Sequence, residues 1–134
     1  MNVQTYLYFA GSCRQAIELY KLALNAEVDF LASFAEAPEP LRVPGQDHLI
    51  FHATLRIGET LLNMSDDPKI EKTAFSGFAL LVHLDSPDAV DSAFELLAQH
   101  GNILLPAQET PWAPRYAIAQ DPFGITWKLQ FSHG

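Results

Sequence analysis

The chain has 134 residues, and eight Lys and Arg set against 16 Asp and Glu leave a formal charge of −8. Its few cations are scattered, so nucleic acid and anionic membrane surfaces are excluded as partners. With 49% hydrophobic and 18% charged residues it is too apolar to be disordered, and long enough to bury a core without disulfides or a structural metal. Cys13 is the lone cysteine and has no internal partner, residues 1–10 lack the basic start and long apolar core of a secretory leader, and Phe78–Val82 is a typical apolar run, far short of the roughly 20 residues that span a bilayer. No transmembrane segment and a reducing, cytoplasmic setting are expected.

Val3–Ala10, rich in Tyr and Phe, reads as a strand, broken by Gly11 and Ser12. A helix to about Asn25 follows, because Ala16, Leu19, Tyr20, Ala23 and Leu24 repeat at helical spacing behind Ser12, and Gln15 completes a Ser-x-x-Gln capping box. Glu27–Ser33 returns to a strand, and Glu36–Gln46, with three prolines and a glycine, is expected to be an exposed loop. His48–Ile57 and Thr60–Ser65 form a hairpin around Gly58-Glu59, with His52, Thr54 and Arg56 alternating against Phe51, Ala53 and Leu55. Residues 65–74, with Asp66, Asp67 and Pro68, serve as a linker.

Phe78–Asp85 is the next strand, and a second helix begins at Ser86, with Pro87 at its first position, Val90, Ala93, Phe94, Leu97 and Ala98 on one face, and Gly101 as its stop. Asn102–Leu105 reads as a short strand, Pro106–Pro114 as a loop, and Arg115–Gln120 as a strand. Asp121-Pro122-Phe123-Gly124 is a tight turn into a last strand, where Ile125, Trp127, Leu129 and Phe131 alternate with Thr126, Lys128 and Gln130. One order, strand-helix-strand-strand-strand, thus occurs twice, in modules of about residues 1–66 and 75–134 within a single α+β domain.

YLYFAGSCRQAIELYKLAL, HATLRIGETLLNMSD and QETPWAPRYAIAQDPFGITWKL resemble, over nearly the whole chain, the vicinal oxygen chelate superfamily of glyoxalase I, extradiol dioxygenases and antibiotic resistance proteins. Within it they look like the PhnB-like branch, at times labelled demethylubiquinone methyltransferase-like. The resemblance implies two βαβββ modules forming a cupped mixed sheet, a small-molecule ligand against the faces opposite the helices, and a homodimer. The methyltransferase label has no support in the residues: Gly11 is the only glycine at a strand-to-helix junction, and no glycine-rich turn would let backbone approach a nucleotide-like cofactor.

Metal-dependent relatives hold a divalent ion with one His, Gln or Glu from each of four strands. The corresponding positions, counted from the helices and from an alignment of Gly58 with Gly124, are Thr5, Leu62, Ala79 and Lys128. None is a competent ligand, and a protonated lysine repels a cation. A one-residue slip would substitute Asn63 for Leu62. No metal or other cofactor is therefore expected at the shared site, a divalent ion being disfavoured; His48, His52 and His83 are the remaining donors.

The expected pocket residues are Lys128, Arg115, Glu109, Trp112, His52 and Thr5. Lys128 is placed to attract a carboxylate or phosphonate, unless it pairs with Glu109 or Asp121. Glu109, Trp112 and Arg115, with Tyr116, combine carboxylate, aromatic and cation as ligand sites do; alternatively Arg115 pairs with Glu109 to hold the loop. Cys13 starts a helix, where the dipole lowers a thiol pKa, but capping and packing explain its setting, and no catalytic residue is assigned. The leading expectation is a metal-free homodimer that binds a small anionic organic molecule. The alternatives are a metal-dependent lyase, isomerase or dioxygenase using His52 and Glu109, and a stoichiometric binding or resistance protein with Glu36–Gln46 beside an apolar groove.

Overall fold

The computed structural model describes residues 1–133. They form two compact units divided after Thr73, and each unit carries a four-stranded mixed sheet with a 12-residue helix. The fold is α+β, a βαβββ order given twice.

The first unit contains β1 (Thr5–Phe9), α1 (Cys13–Leu24), β2 (Glu27–Ser33), β3 (Ile50–Ile57) and β4 (Thr60–Asp66), in sheet order β1-β4-β3-β2. β1 runs parallel to β4, while β3 is antiparallel to both neighbours. Alternation sends Leu7, Phe9, Ala53, Leu55, Leu62 and Met64 into the core with Ala16, Ile17 and Tyr20 of α1. The opposite face carries Tyr6, Tyr8, His52, Thr54 and Asn63, none of them buried. The proline-rich Glu36–Gln46 segment is not featureless: two 3-10 turns, Phe34–Glu36 and Glu39–Leu41, organise its first half.

Asn25 ends α1 in the left-handed conformation, but the start departs from expectation. The Ser12 side chain makes no capping bond. Asp66, at the far end of β4, is 3% exposed and accepts from Cys13 N at 3.0 Å and from Ile50 N at 2.9 Å. A carboxylate from another strand therefore satisfies the helix terminus and ties it to the start of β3. In α2 the serine does act, with Ser86 Oγ accepting from Ala89 N.

The second unit contains β5 (Leu80–His83), α2 (Pro87–Ala98), β6 (Asn102–Thr110), β7 (Ala113–Gln120) and β8 (Thr126–Phe131), in order β5-β8-β7-β6. Val90, Ala93 and Leu97 of α2 are buried with Ala117, Ala119, Trp127 and Leu129. The expected loop Pro106–Pro114 is instead mostly strand, with Pro111 and Trp112 alone between β6 and β7. Proline is tolerated there because β6 is an edge strand and its pairing is bulged between Leu105 and Gln108, so the missing N–H at Pro106 costs little.

Gly101 follows a right-handed Gln99 cap and is required for a reason other than stopping the helix. A Cβ there would overlap the Gln120 carbonyl oxygen and lie 2.8 Å from the Asp121 carbonyl carbon. Asp121, 2% exposed, accepts from Phe123 N, Ile125 N and Trp127 Nε1 at 2.9–3.0 Å. The Asp-Pro-Phe-Gly turn is thus a buried junction around one carboxylate.

Candidate functional site

The expected positions do not all share a face. Lys128 lies in register with Leu81 of β5 and Ile118 of β7, on the side away from α2, where Ala79 has the same parity. Leu62, its supposed counterpart, is 5% exposed and faces α1; Thr5, in register with Leu62, shares that parity at the exposed end of β1. The face on which each hairpin closes is the cause. The closing pair Ile57–Thr60 has the parity of buried Leu55 and Leu62, whereas Gln120–Thr126 has the parity of Ile118 and Lys128, so aligning the two glycines leaves the copies one residue out of phase. By face, Asn63 corresponds to Lys128 and Tyr6 replaces Thr5.

Arg115, Glu109 and Trp112 are not brought together as a ligand site. Arg115 has the helix-side parity of Ala117 and forms a bidentate pair with Asp91 of α2, Nε–Oδ1 2.8 Å and Nη2–Oδ2 3.2 Å. That bond raises the guanidinium pKa further and removes Arg115 from both expected roles, anion binding and pairing with Glu109. Trp112 is exposed in the β6–β7 turn, edge-on to Tyr116 with centroids 5.3 Å apart. Glu109 is exposed on β6. Among the described residues, neither Glu109 nor Asp121 forms a salt bridge with Lys128. Lys128 is half-buried between apolar neighbours.

The richest polar and aromatic arrangement lies on the open face of the first sheet. His52 Nδ1 is 2.9 Å from Tyr6 Oη, and its Nε2 is 3.2 Å from Thr54 Oγ1. Thr54 in turn is 2.9 Å from Asn63 Oδ1, and Asn63 Nδ2 is 2.7 Å from Gln4 Oε1. Tyr6 also stands 4.9 Å from Tyr8, while His52 lies 5.8 Å from Phe30. Partial burial raises the Tyr6 pKa, against a hydrogen bond from Ser65 that lowers it, so the phenol stays protonated at neutral pH. Of this group the sequence singles out His52, and Asn63 only as the one-residue-slip alternative to Leu62. Tyr6, Tyr8 and Phe30 are missed, although period two, with Leu7 and Phe9 turned inward, was the signal that placed both tyrosines outward.

Cys13 is fully buried, and burial first, then the adjacent Asp66 carboxylate, push its thiol far up. That is opposite to the helix-terminus effect and rules against a nucleophile. His48 borders a separate cleft of about 320 Å³ with Gly11, Asp67 and Ile70, at the β1–α1 junction.

Residues 2–129 match the family model of the Glyoxalase/Bleomycin resistance protein/Dioxygenase superfamily. The chain belongs to this superfamily. Protein YjdN of Escherichia coli is 33% identical, over 96% of this chain and 94% of that protein. The crystal structure of protein PA1353 from Pseudomonas aeruginosa superposes with a TM-score of 0.89 at 28% identity, covering 100% of this chain and 99% of the other. A PhnB protein from Bacillus cereus gives 0.84 at 23% identity, covering 98% and 100%.

Many members of the glyoxalase superfamily use a divalent metal, and the donors here do not fit one. Among the described residues no three His, Cys, Asp or Glu side chains converge. Both nitrogens of His52 are already engaged, and the open face of the second sheet presents Lys128 beside Leu81 and Ile118. A cation entering the first face meets hydroxyls, amides and aromatic rings around His52, and one entering the second meets Lys128, with exposed His83 two residues along β5 from Leu81, so among the described residues neither face gathers a ligand cage.

Proposed function

We propose that the protein is a PhnB-like member of the superfamily that binds a small, anionic organic molecule on the open side of its sheet, without a metal. The carrying observation is Lys128: a half-buried ammonium on the face away from α2, between Leu81 and Ile118, with no salt bridge among the described residues. Desolvation by those neighbours strengthens attraction to a carboxylate or phosphonate. The fold shared with the Bacillus PhnB protein supports the branch. Methyl transfer is not part of the proposal, since no glycine-rich strand-to-helix turn offers a cofactor site.

Arg115 no longer supports the anion, so the reading rests on Lys128 alone. A thermal-shift screen of small carboxylates and phosphonates, run with chelator and with added metals, tests it. Stabilisation should be indifferent to chelator, lost in Lys128→Ala and partly kept in Lys128→Arg. Hits that require a divalent ion, or that survive Lys128→Ala unchanged, overturn it.

A homodimer in a reducing, cytoplasmic compartment belongs to the same proposal. Ile103 and Leu104 are exposed side by side on edge strand β6, which gives a second copy apolar surface to cover, and the one thiol is buried and unpaired. Light scattering showing a stable monomer at micromolar concentration would reject the dimer.

A further inference from the structure

On the open face of the first sheet, amide chemistry fixes the direction of every hydrogen bond in the run from Gln4 to Tyr6. Asn63 reaches Gln4 Oε1 with its Nδ2, a donor, so its Oδ1 is the group that meets Thr54. An amide oxygen only accepts, and Thr54 must therefore give its single proton to Asn63. Thr54 Oγ1 is then an acceptor toward His52, which places the imidazole hydrogen on Nε2. The neutral ring is left with a bare Nδ1, and Tyr6 donates to it. With its proton committed to His52, Tyr6 Oη offers the open face an acceptor position.

Around that position Tyr8, Tyr6, His52 and Phe30 form a row of rings from β1 across to β2, with successive centroids 4.9, 5.5 and 5.8 Å apart. The charges on this face stand elsewhere. Arg56 lies four residues along β3 from His52, about 13 Å away at strand spacing, and is held by Glu27 at 2.7 Å and Asp29 at 3.2 Å. Two carboxylates against one guanidinium leave a net negative charge, so this end attracts no anion.

We propose that this ring-lined shelf is a binding site for a flat, uncharged aromatic ring bearing an N–H or O–H group, which packs on the rings and donates to Tyr6 Oη. The site goes beyond the anion-binding reading: it lies on the other sheet and does not depend on Lys128. Stacking supplies affinity and the single acceptor supplies selectivity.

Indole, 1-methylindole and naphthalene-1-sulfonate are suitable probes, followed by NMR on the intact protein. Indole should saturably shift the Tyr6, Tyr8, Phe30 and His52 resonances, and 1-methylindole, lacking the donor, should bind about fivefold more weakly, the effect of one hydrogen bond. Tyr6→Phe, which keeps the ring, should erase that difference, and Lys128→Ala should leave it intact. Long-range proton–nitrogen correlation should show His52 protonated at Nε2, with Thr54→Val relaxing the preference. Equal affinities for the two indoles in the wild type, no saturable shift on these residues, stronger binding by the sulfonate, or an Nδ1-protonated His52 would each overturn the assignment. Ring shifts that vanish on dilution without any probe would show a second copy covering the shelf, with the same consequence.

Discussion

Replacing Asp66 by Ala should be among the most destabilising single changes in the first unit. Its carboxylate receives two buried backbone amides, Cys13 N and Ile50 N. Each amide left without a partner costs about 1–3 kcal/mol, and losing an anion at a helix start adds about 0.3–1 kcal/mol. The total, about 2–7 kcal/mol, is a large share of the roughly 5–15 kcal/mol that holds a domain together. Asp66→Asn keeps one oxygen but turns an NH₂ toward the second amide, so it should cost about 2–3 kcal/mol. Urea unfolding followed by far-UV circular dichroism measures both, with an unchanged slope showing that the folded state is intact. Ser12 and Ser86 provide the control: Ser86→Ala should cost about 1 kcal/mol, while Ser12→Ala, which removes no capping bond, should stay within about 0.5 kcal/mol. An Asp66→Ala loss below about 1 kcal/mol, or a Ser12→Ala loss equal to that of Ser86→Ala, would refute the capping scheme.

Gly101→Ala should destabilise by at least about 2 kcal/mol, because the new methyl meets backbone at Gln120 and Asp121; chemical denaturation comparable to wild type would show that this junction yields. The raised Cys13 pKa makes the folded state hold its proton more tightly than the unfolded chain. Its contribution is therefore complete below the thiol's ordinary 9.0 and falls as pH rises above it, by up to about 1.4 kcal/mol per pH unit. Tyr6 acts in the same direction above 10.0. Cys13→Ala should flatten the difference in stability between pH 8 and 10.5, and an unchanged pH profile would contradict the shift. Trp127→Phe should cost about 1–3 kcal/mol by leaving Asp121 short of its indole donor, measurable as a lower urea midpoint with tertiary structure retained.

Legibility in the sequence followed the range of the determining interaction. Both helices and the strands around them were legible because Ala16, Tyr20, Val90 and Leu97 repeat at the period of the structure they build, a local property. Pro106 misled because proline reports a missing N–H without saying that the strand lies on an edge, where none is needed. The Ser12 cap failed for a similar reason: a serine before an apolar helix is only an available acceptor, and Asp66 arrived from a residue more than fifty positions away to take its place. At the candidate site, His52 and Lys128 were found by alternation within their own strands. Leu62 and Thr5 were misplaced because aligning the copies on turn glycines and helix starts does not fix which face of the sheet a strand residue takes. Arg115 looked like a ligand residue until the fold set Asp91 against it.

The two helices, alike in length and placement in their modules, are completed by different means. Ser86 stands one residue before α2 and caps it as soon as that stretch of chain turns helical. α1 must wait for Asp66, which reaches Cys13 only after β2, β3 and β4 have been laid down. Duplicated modules with the same architecture should therefore acquire their structure in opposite senses: helix early in the second, helix late in the first. The long loop closed by the Asp66–Cys13 bond makes the amino-terminal half the slower to assemble, though it is the first to be synthesised.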